Sequence, residues 1–167
     1  MKKEYYIFLL LFLIGFTVFA FRKKNKKIMP FFGKLLKEKQ KIRPCDLAGC
    51  GGFGAEREDH VHMGVDVVAP AGTKVYSPIN GIIRRLYVYP NNTEMRGVEI
   101  SNGNFKTKIF YLDSPFQTGE RISQGDFIGY AQNVARFYND EGKMINHIHV
   151  EIRKNGKLIN PTKYIQN

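Results

Sequence analysis

Most of the chain alternates or clusters β-branched and aromatic residues in short runs, and turn-forming residues separate these runs. The first such region is VDVVAPAGTKVYSPINGIIRRLYVY, with breaks at APAG and PING. The later runs are RGVEISN, FKTKIFYL, DFIGYAQ and HIHVEIRKNGKLI. This pattern is typical of strands separated by turns, and the AsnGly pair in the last run is typical of a hairpin. It predicts an all-β or β-rich domain, an antiparallel sandwich or barrel-like fold.

The N-terminal part has a different pattern, because Tyr5 to Phe21 reads YYIFLLLFLIGFTVFAF without a charge. A helix through this run reaches about 26 Å, at the short end of what crosses a bilayer. We expect residues 1–21 to be a signal anchor that leaves the domain outside the cytoplasm. The alternative is a cleaved signal peptide and a secreted domain, although the bulky Phe19 and Phe21 flank the small Ala20 at the exit.

Charge is concentrated next to this apolar run. The formal net charge of the chain is +11, of which residues 1–41 carry +9 and residues 42–167 only +2. A basic segment behind a membrane run favours lipid head groups or an anionic wall over a nucleic acid. We expect residues 22–41 to be a basic juxtamembrane linker, of which residues 28–41 are a linker or a short amphipathic helix near the membrane, and residues 42–167 to be the domain, with no nucleic-acid partner.

Cys45 and Cys50 are the only cysteines, and they bracket a turn-forming DLAG sequence. A metal pair of this spacing without a second pair is a weak zinc signal. A local disulfide fits an oxidising compartment better and would contribute about 2 kcal/mol by closing a short loop. The alternative is two reduced, small apolar residues.

The four histidines of the chain fall in two short stretches. They are His60 and His62 in HVHMGVD, and His147 and His149 in NHIHVE. Because residues i and i+2 of a strand point to one face, the members of each pair would project together. With Asp66 they supply the nitrogen and oxygen ligands that zinc takes tetrahedrally, and catalytic zinc sites use three protein ligands.

Two neighbouring residues support a metal site. Gly64 lets the backbone approach closely, and Glu151 stands two places beyond His149 on the same strand face, where its carboxylate can orient a ligand imidazole. Either histidine motif alone is more often a chance occurrence or a solvated strand face than a metal site. The two together, with no histidine elsewhere, favour a metal.

Several motifs resemble the lysostaphin-type zinc metallopeptidases of the duplicated hybrid motif superfamily, endopeptidases that cut peptide cross-bridges of peptidoglycan. The motifs are HMGVD, APAGTKVYSPINGII, GERISQGDFIG at Gly119 to Gly129, HIHVE and NPTKYI. The resemblance covers about residues 43 to 165. Within that superfamily, IRPCDLAGCGGFGAER and GVEISN are also similar to the leukocyte cell-derived chemotaxins, which keep the zinc site but are not known as active peptidases. This second likeness supports the Cys45–Cys50 bridge.

The resemblance implies roles for individual residues. His62, Asp66 and His149 correspond to the zinc ligands of the peptidases, and His147 corresponds to a catalytic residue beside the metal. A further catalytic histidine of the peptidases falls in a Tyr-x-His-Leu motif, which aligns with IFYL here and so with Tyr111. The Tyr111 hydroxyl would donate a hydrogen bond to a developing oxyanion. The alternative is a core or cross-strand aromatic residue.

These expectations lead to two functions from different classes. The first is a membrane-anchored zinc metallo-endopeptidase that hydrolyses peptidoglycan stem peptides or cross-bridges. The second is a zinc-stabilised binding module that recognises wall peptides or a protein partner without cutting them. A third hypothesis is that the protein is a toxin or signalling ligand released from the membrane. This hypothesis rests only on the likeness to the chemotaxins.

Overall fold

The computed structural model describes residues 32–57, 60–89, 92–138 and 143–165. Within these residues the chain forms ten β-strands and two one-turn helices. In chain order they are β1 (Val65–Val68), β2 (Lys74–Tyr76), β3 (Gly81–Tyr89), β4 (Asn92–Asn102), β5 (Phe105–Phe110), β6 (Leu112–Asp113), β7 (Arg121–Ile122), β8 (Phe127–Ala131), α1 (Val134–Phe137), β9 (His147–Lys154), β10 (Lys157–Ile159) and α2 (Thr162–Ile165). The prediction of a β-rich fold is confirmed.

The strands form two antiparallel sheets. The larger sheet has seven strands in the order β1-β9-β5-β4-β3-β7, with β10 also paired to β9. The smaller sheet has three strands in the order β2-β8-β6. Strand β9 lies between β1 and β5, so its side chains are flanked on both sides by neighbouring strands.

The alternation along β9 decides which face of the large sheet is apolar. Its residues at even positions are fully buried aliphatic side chains, namely Ile148, Val150 and Ile152. Those at odd positions, His147, His149 and Glu151, point to the opposite face because strand side chains alternate. The sequence therefore fixes a polar face on the strand that lies between β1 and β5.

The core lies between the two sheets. Val65 and Ile109 of the large sheet and Leu112 and Ile128 of the small sheet belong to one cluster and are 0 % exposed. Full burial of such a side chain contributes roughly 1.5–3 kcal/mol relative to exposure. This apolar layer makes the large sheet a rigid support for the polar residues on its other face.

The predicted hairpin at the AsnGly pair is present between β9 and β10. Asn155 and Gly156 both have positive φ, +51° and +78°. Two such residues are what a two-residue hairpin turn of type I′ requires, and asparagine followed by glycine tolerates them best.

Residues 32–41, which the sequence analysis assigned to a linker or an amphipathic helix, are packed onto the domain without forming a helix. Phe32, Leu35 and Leu36 are buried in the core. The Gln40 carboxamide oxygen accepts hydrogen bonds from the backbone N–H groups of Leu35 and Leu36, and its nitrogen donates to the Ile165 carbonyl. The compact part of the described chain therefore begins before residue 42, because Phe32, Leu35 and Leu36 belong to the core.

Among the described residues, no helix has the length and apolar character needed to cross a bilayer. The predicted membrane segment, Tyr5 to Phe21, lies outside the described residues.

Candidate metal centre

The pairing of β1 with β9 brings the two histidine-containing stretches together. Asp66 of β1 lies opposite His149 of β9 in the antiparallel register. Directly opposed residues have their Cβ atoms about 5 Å apart on one face, so a carboxylate and an imidazole meet there. His62 approaches the same point from the loop before β1. The two motifs, although 83 residues or more apart along the chain, form one cluster.

Three potential ligand atoms converge in this cluster. His149 Nδ1 lies 2.9 Å from Asp66 Oδ1 and 2.9 Å from His62 Nε2. His62 Nε2 lies 3.1 Å from the same carboxylate oxygen. All three residues offer ligand atoms within 4.8 Å of one another, and His62 and Asp66 are buried. The structure therefore brings together the three residues that the sequence predicts as zinc ligands.

The hydrogen bonds around the cluster favour a cation at its centre. His62 Nδ1 lies 2.7 Å from the Gly52 carbonyl oxygen, so Nδ1 carries the proton and donates it. In a neutral ring Nε2 then has a lone pair, which faces a second acceptor, Asp66 Oδ1. Two acceptors at this distance need a proton or a metal ion between them. Two imidazole nitrogens and one carboxylate oxygen are the ligand set of many zinc sites.

The pKa shifts in the cluster also indicate that a positive charge beside the Asp66 carboxylate is favourable. Burial by itself raises the pKa of Asp66, but its close contacts with the imidazoles of His149 and His62 hold the pKa well below its ordinary value. Burial by itself lowers the pKa of His149, but the hydrogen bond to Asp66 and the nearby carboxylate of Glu151 overcome this effect and raise the pKa. Without a metal, a proton on His149 balances the carboxylate.

Gly64 is required by the closeness of two backbones. A Cβ atom at this position would lie 2.7 Å from the imidazole of His149 and would also collide with the Val150 carbonyl oxygen. Any side chain at residue 64 would therefore displace the strand or the ring of His149, in agreement with the close approach expected from the sequence.

A residue that the sequence analysis did not assign to the site, Arg43, holds the outer oxygen of the carboxylate. Its Nε and Nη2 donate to Asp66 Oδ2 over 3.2 and 3.0 Å, and the side chain is buried. Two donors on Oδ2 leave Oδ1 directed at the histidines. No periodic pattern marks this arginine, and one sequence does not distinguish it from a solvated surface residue.

His147 lies beside the cluster and is not part of it. Its Nδ1 lies 2.7 Å from the carbonyl oxygen of Ile145 and donates to it, and its Nε2 lies 3.7 Å from Asp66 Oδ2. Burial lowers the pKa of His147, and the attraction of Asp66 does not reverse this shift. The ring is therefore neutral near neutral pH, with the lone pair of Nε2 directed towards the cluster.

Tyr111 lies at the break between β5 and β6, not within a strand, and has a φ of +60°. Such a backbone conformation is uncommon for a residue other than glycine. The ring packs edge-on against His147 at 5.4 Å and stacks on Tyr89 at 6.1 Å, and its hydroxyl lies 3.3 Å from that of Tyr138. Burial and the neighbouring tyrosines raise the pKa of Tyr111, so that it remains a protonated phenol.

Glu151 stands behind His149, as the strand alternation predicted. Its Oε1 lies 3.8 Å from His149 Nε2, the ring nitrogen that faces away from Asp66. Lys108 Nζ lies 3.2 Å from Oε2, an ion pair whose angles fall outside hydrogen-bond geometry. Burial by itself raises the pKa of Glu151, whereas His149 and Lys108 lower it. The carboxylate is therefore charged and placed to fix the orientation of the His149 ring.

Replacement of Glu151 by glutamine is expected to weaken zinc binding without abolishing it. The amide keeps the size of the side chain but loses the charge that makes His149 more basic. Loss of such a partner typically costs about 10–100-fold in metal affinity. Competition with a chromophoric chelator measures the change, and Glu120→Gln, on the exposed surface, is the control. An unchanged affinity in Glu151→Gln would contradict the role.

A cavity of about 780 Å³ opens over the cluster. His147, Tyr111 and Glu151 line it together with the three cluster residues. Its outer part carries exposed apolar side chains, those of Met63, Val88 and Tyr138. His60 also lines the cavity, but it is not one of the three clustered residues.

The structure contains the disulfide between Cys45 and Cys50, and no free cysteine is found in the described part of the chain. The preference for a bridge over two reduced thiols is supported. The closed loop lies directly before Gly51 and Gly52, whose carbonyl groups contact the Asp66 backbone and the His62 ring.

A β-sheet domain with a His-Asp-His cluster open to a cavity belongs to the class of domains that can hold a metal ion at a solvent-accessible site. Peptidase family M23 matches residues 60–161, more than half of the chain, and the chain belongs to this family. The resemblance to the lysostaphin-type peptidases is thereby confirmed.

The proteins that this chain is similar to include both chemotaxins and peptidases. Bovine leukocyte cell-derived chemotaxin-2 is 36% identical over 131 residues, which are 77% of this chain and 82% of that protein. Peptidoglycan DD-endopeptidase ShyC of Vibrio cholerae is 31% identical over 101 residues, 60% of this chain and 22% of that protein. A crystal structure of a zinc-containing peptidase from Vibrio cholerae superposes with a TM-score of 0.57 at 21% identity, covering 78% of this chain and 39% of that chain. This structural likeness shows a shared fold.

Proposed function

We propose that this protein is a zinc metallo-endopeptidase that hydrolyses peptide bonds in peptidoglycan stem peptides or cross-bridges. The observation that carries the proposal is the convergence of His62, Asp66 and His149 on one point, with the Nε2 atom of His147 directed at the same carboxylate. Membrane anchoring through Tyr5 to Phe21, with the domain outside the cytoplasm, is part of the proposal. The disulfide supports an oxidising location.

The ligands and the neighbouring residues have separate tasks. His62, Asp66 and His149 would hold a zinc ion, which when bound would serve as a Lewis acid that polarises a carbonyl group and acidifies water. His147 accepts the water proton at Nε2, because its Nδ1 is held by the Ile145 carbonyl group, and returns it to the leaving amine. The Tyr111 hydroxyl donates a hydrogen bond to the substrate carbonyl oxygen, on which negative charge develops during the reaction.

The cavity supports a peptide substrate. Its volume of about 780 Å³ is ample for several residues of an extended peptide, and its apolar outer side chains, Met63, Val88 and Tyr138, suit small apolar side chains. Among the relatives, two are named peptidoglycan DD-endopeptidases, which supports the wall as the source of that peptide.

A binding module without hydrolysis is the second candidate, and Tyr111 is the observation that favours it. The Tyr111 hydroxyl lies at hydrogen-bond distance from Tyr138, and the ring occupies the space beside His147. A phenol with a raised pKa donates a hydrogen bond but does not take up a proton as an imidazole does. In this case zinc stabilises a surface that recognises wall peptides or a protein partner, as the likeness to the chemotaxins supports.

Incubation of the full-length, zinc-loaded protein in mild detergent with fluorescently labelled peptidoglycan separates the two functions. Release of labelled peptide, absent after zinc removal and restored by zinc, supports the peptidase. Co-sedimentation with the wall without release supports the binding module. Neither release nor retention would reject the wall as the target.

Removal of only the Tyr111 hydroxyl, in Tyr111→Phe, is expected to lower the turnover of wall peptides by about 10²-fold. Zinc content should not change, because Tyr111 is outside the cluster. Tyr138→Phe is the matched control, since it removes the partner hydroxyl and leaves that of Tyr111. In Tyr111→His, activity that appears only in the variant would show that this chain keeps the metal and has given up the reaction.

A further inference from the structure

The loop closed by Cys45 and Cys50 carries a buried charge that the proposed mechanism does not use. Asp46 follows the first cysteine, and its side chain is only 9 % exposed. Within the loop, its backbone N–H and carbonyl group exchange hydrogen bonds with Gly49, and its Oδ1 also accepts from the Ala48 N–H. The disulfide and these bonds give Asp46 a fixed orientation.

Asp46 connects the loop to His147. Its Oδ2 accepts a hydrogen bond of 3.0 Å from the backbone N–H of Ile145, 99 residues away in sequence. The carbonyl oxygen of the same Ile145 accepts the Nδ1 proton of His147 over 2.7 Å. One carboxylate oxygen therefore holds the residue whose carbonyl group fixes the tautomer of the imidazole.

The other oxygen of Asp46 connects the loop to Asp66. Asp46 Oδ1 accepts a hydrogen bond of 2.5 Å from Arg43 Nη1, while Nε and Nη2 of the same guanidinium hold Asp66 Oδ2. Arg43 is thus fixed between two carboxylates in a buried position. A charge-assisted pair of this kind orients both partners more strictly than a neutral hydrogen bond does.

We infer that Asp46 is a positioning residue that couples the Cys45–Cys50 loop to the metal centre, through Arg43 to Asp66 and through Ile145 to His147. The inference rests on the proposed zinc site but not on hydrolysis. The closed loop holds Asp66 and His147 in place through Asp46. Opening the disulfide is therefore expected to let both side chains move. Cys45 is exposed, so a thiol reductant can reach the bridge.

The test compares zinc-loaded full-length wild type with Asp46→Ala and Asp46→Asn. In the wild type, ¹⁵N–¹H correlation of the histidine rings should show His147 with its proton on Nδ1, the signal being assigned by its loss in His147→Ala. In Asp46→Ala the Ile145 segment loses its anchor, and the ring should populate both tautomers. Zinc affinity should fall by about 10-fold, at the low end of the effect of lost outer partners. If the protein hydrolyses peptides, kcat should fall more than KM changes.

Asp126→Ala is the matched control. Asp126 likewise accepts a hydrogen bond from a backbone N–H, that of Ser123, but lies in an exposed turn. It should change neither the His147 signal nor zinc affinity. The double variant Cys45→Ser, Cys50→Ser should shift the His147 signal in the same direction as Asp46→Ala.

A merely structural role of Asp46 predicts a different result. In that case Asp46→Ala melts lower, but the His147 tautomer and the zinc affinity stay as in the wild type, and the inference is overturned. Should Asp46→Ala fail to fold, Asp46→Asn, which has only one acceptor oxygen for three donors, gives the same readouts. A wild type that binds zinc without cutting peptides would reject the hydrolytic function, while the ring signals and the zinc affinity still decide the role of Asp46.

Discussion

Replacement of His62 or His149 by alanine is expected to remove most of the zinc from a protein that otherwise binds about one ion per chain. Each histidine supplies one of three ligand atoms that lie within 4.8 Å of one another, and catalytic zinc sites have only three protein ligands. At a zinc concentration a hundredfold above Kd, binding stabilises the fold by about 2.7 kcal/mol. The variants should therefore melt roughly 5–10 °C below the zinc-loaded wild type. Elemental analysis and thermal melting measure the two effects.

The third ligand should behave differently once zinc is removed. Asp66→Ala leaves the buried Arg43 without one of its two carboxylate partners. Breaking a buried ion pair from one side costs about 3–5 kcal/mol. In excess chelator, Asp66→Ala should remain less stable than the wild type by about this amount, whereas His62→Ala, which loses one hydrogen bond to the Gly52 carbonyl group, should be destabilised less.

His60→Ala is the control for zinc content, because His60 lines the cavity but lies outside the cluster. It should retain zinc. A metal-free wild type would reject the whole site assignment, and zinc retained in both His62→Ala and His149→Ala would do so as well.

Replacement of His147 by alanine is expected to lower kcat by about 10²–10⁴-fold, the usual effect of losing a general base. The reason is its geometry, with a proton on Nδ1 held by the Ile145 carbonyl group and a lone pair on Nε2. Burial lowers the pKa of His147, so the base is neutral and available without a high pH. Turnover of labelled wall peptide at saturating zinc measures the effect.

Zinc content separates this role from that of a ligand. His147 Nε2 lies 3.7 Å from Asp66 Oδ2. That oxygen faces Arg43 and does not face His62 or His149. His147→Ala should therefore keep its zinc. Loss of zinc together with activity would make His147 a ligand, and unchanged turnover would remove it from the reaction.

The strands were predictable because each depends on local pattern. The alternation in HIHVEI places aliphatic residues on one face and polar residues on the other, whatever the neighbouring strand is. The turn at Asn155 and Gly156 depends on backbone conformations that these two residue types adopt easily. Tyr111 shows the limit of the pattern, since FKTKIFYL reads as one strand but breaks at a residue with positive φ.

The candidate ligands were predictable from residue type and from family resemblance, and the structure places them together. Apart from Glu151, the residues that support these ligands were not predictable. Arg43 and Asp46 lie in IRPCD, where no pattern distinguishes them. The group that fixes the His62 tautomer is the backbone carbonyl of Gly52, and a backbone group cannot be recognised from residue type. Hydrogen bonds between residues far apart in sequence produce no periodic pattern that could be recognised in a single amino-acid sequence.

The sequence by itself determined the β-rich architecture, the polar face of β9 and the residue types that can hold zinc, because side-chain alternation and ligand chemistry are local properties. Only the tertiary structure decided that residues 32–41 join the core, that Arg43 takes one oxygen of Asp66 and leaves the other for the histidines, and that the Ile145 carbonyl group holds Nδ1 of His147. These features depend on strand register and on distances of about 3 Å between groups brought together by folding. Such distances arise only when β1, β9 and the segment around Arg43 have come together in the folded chain.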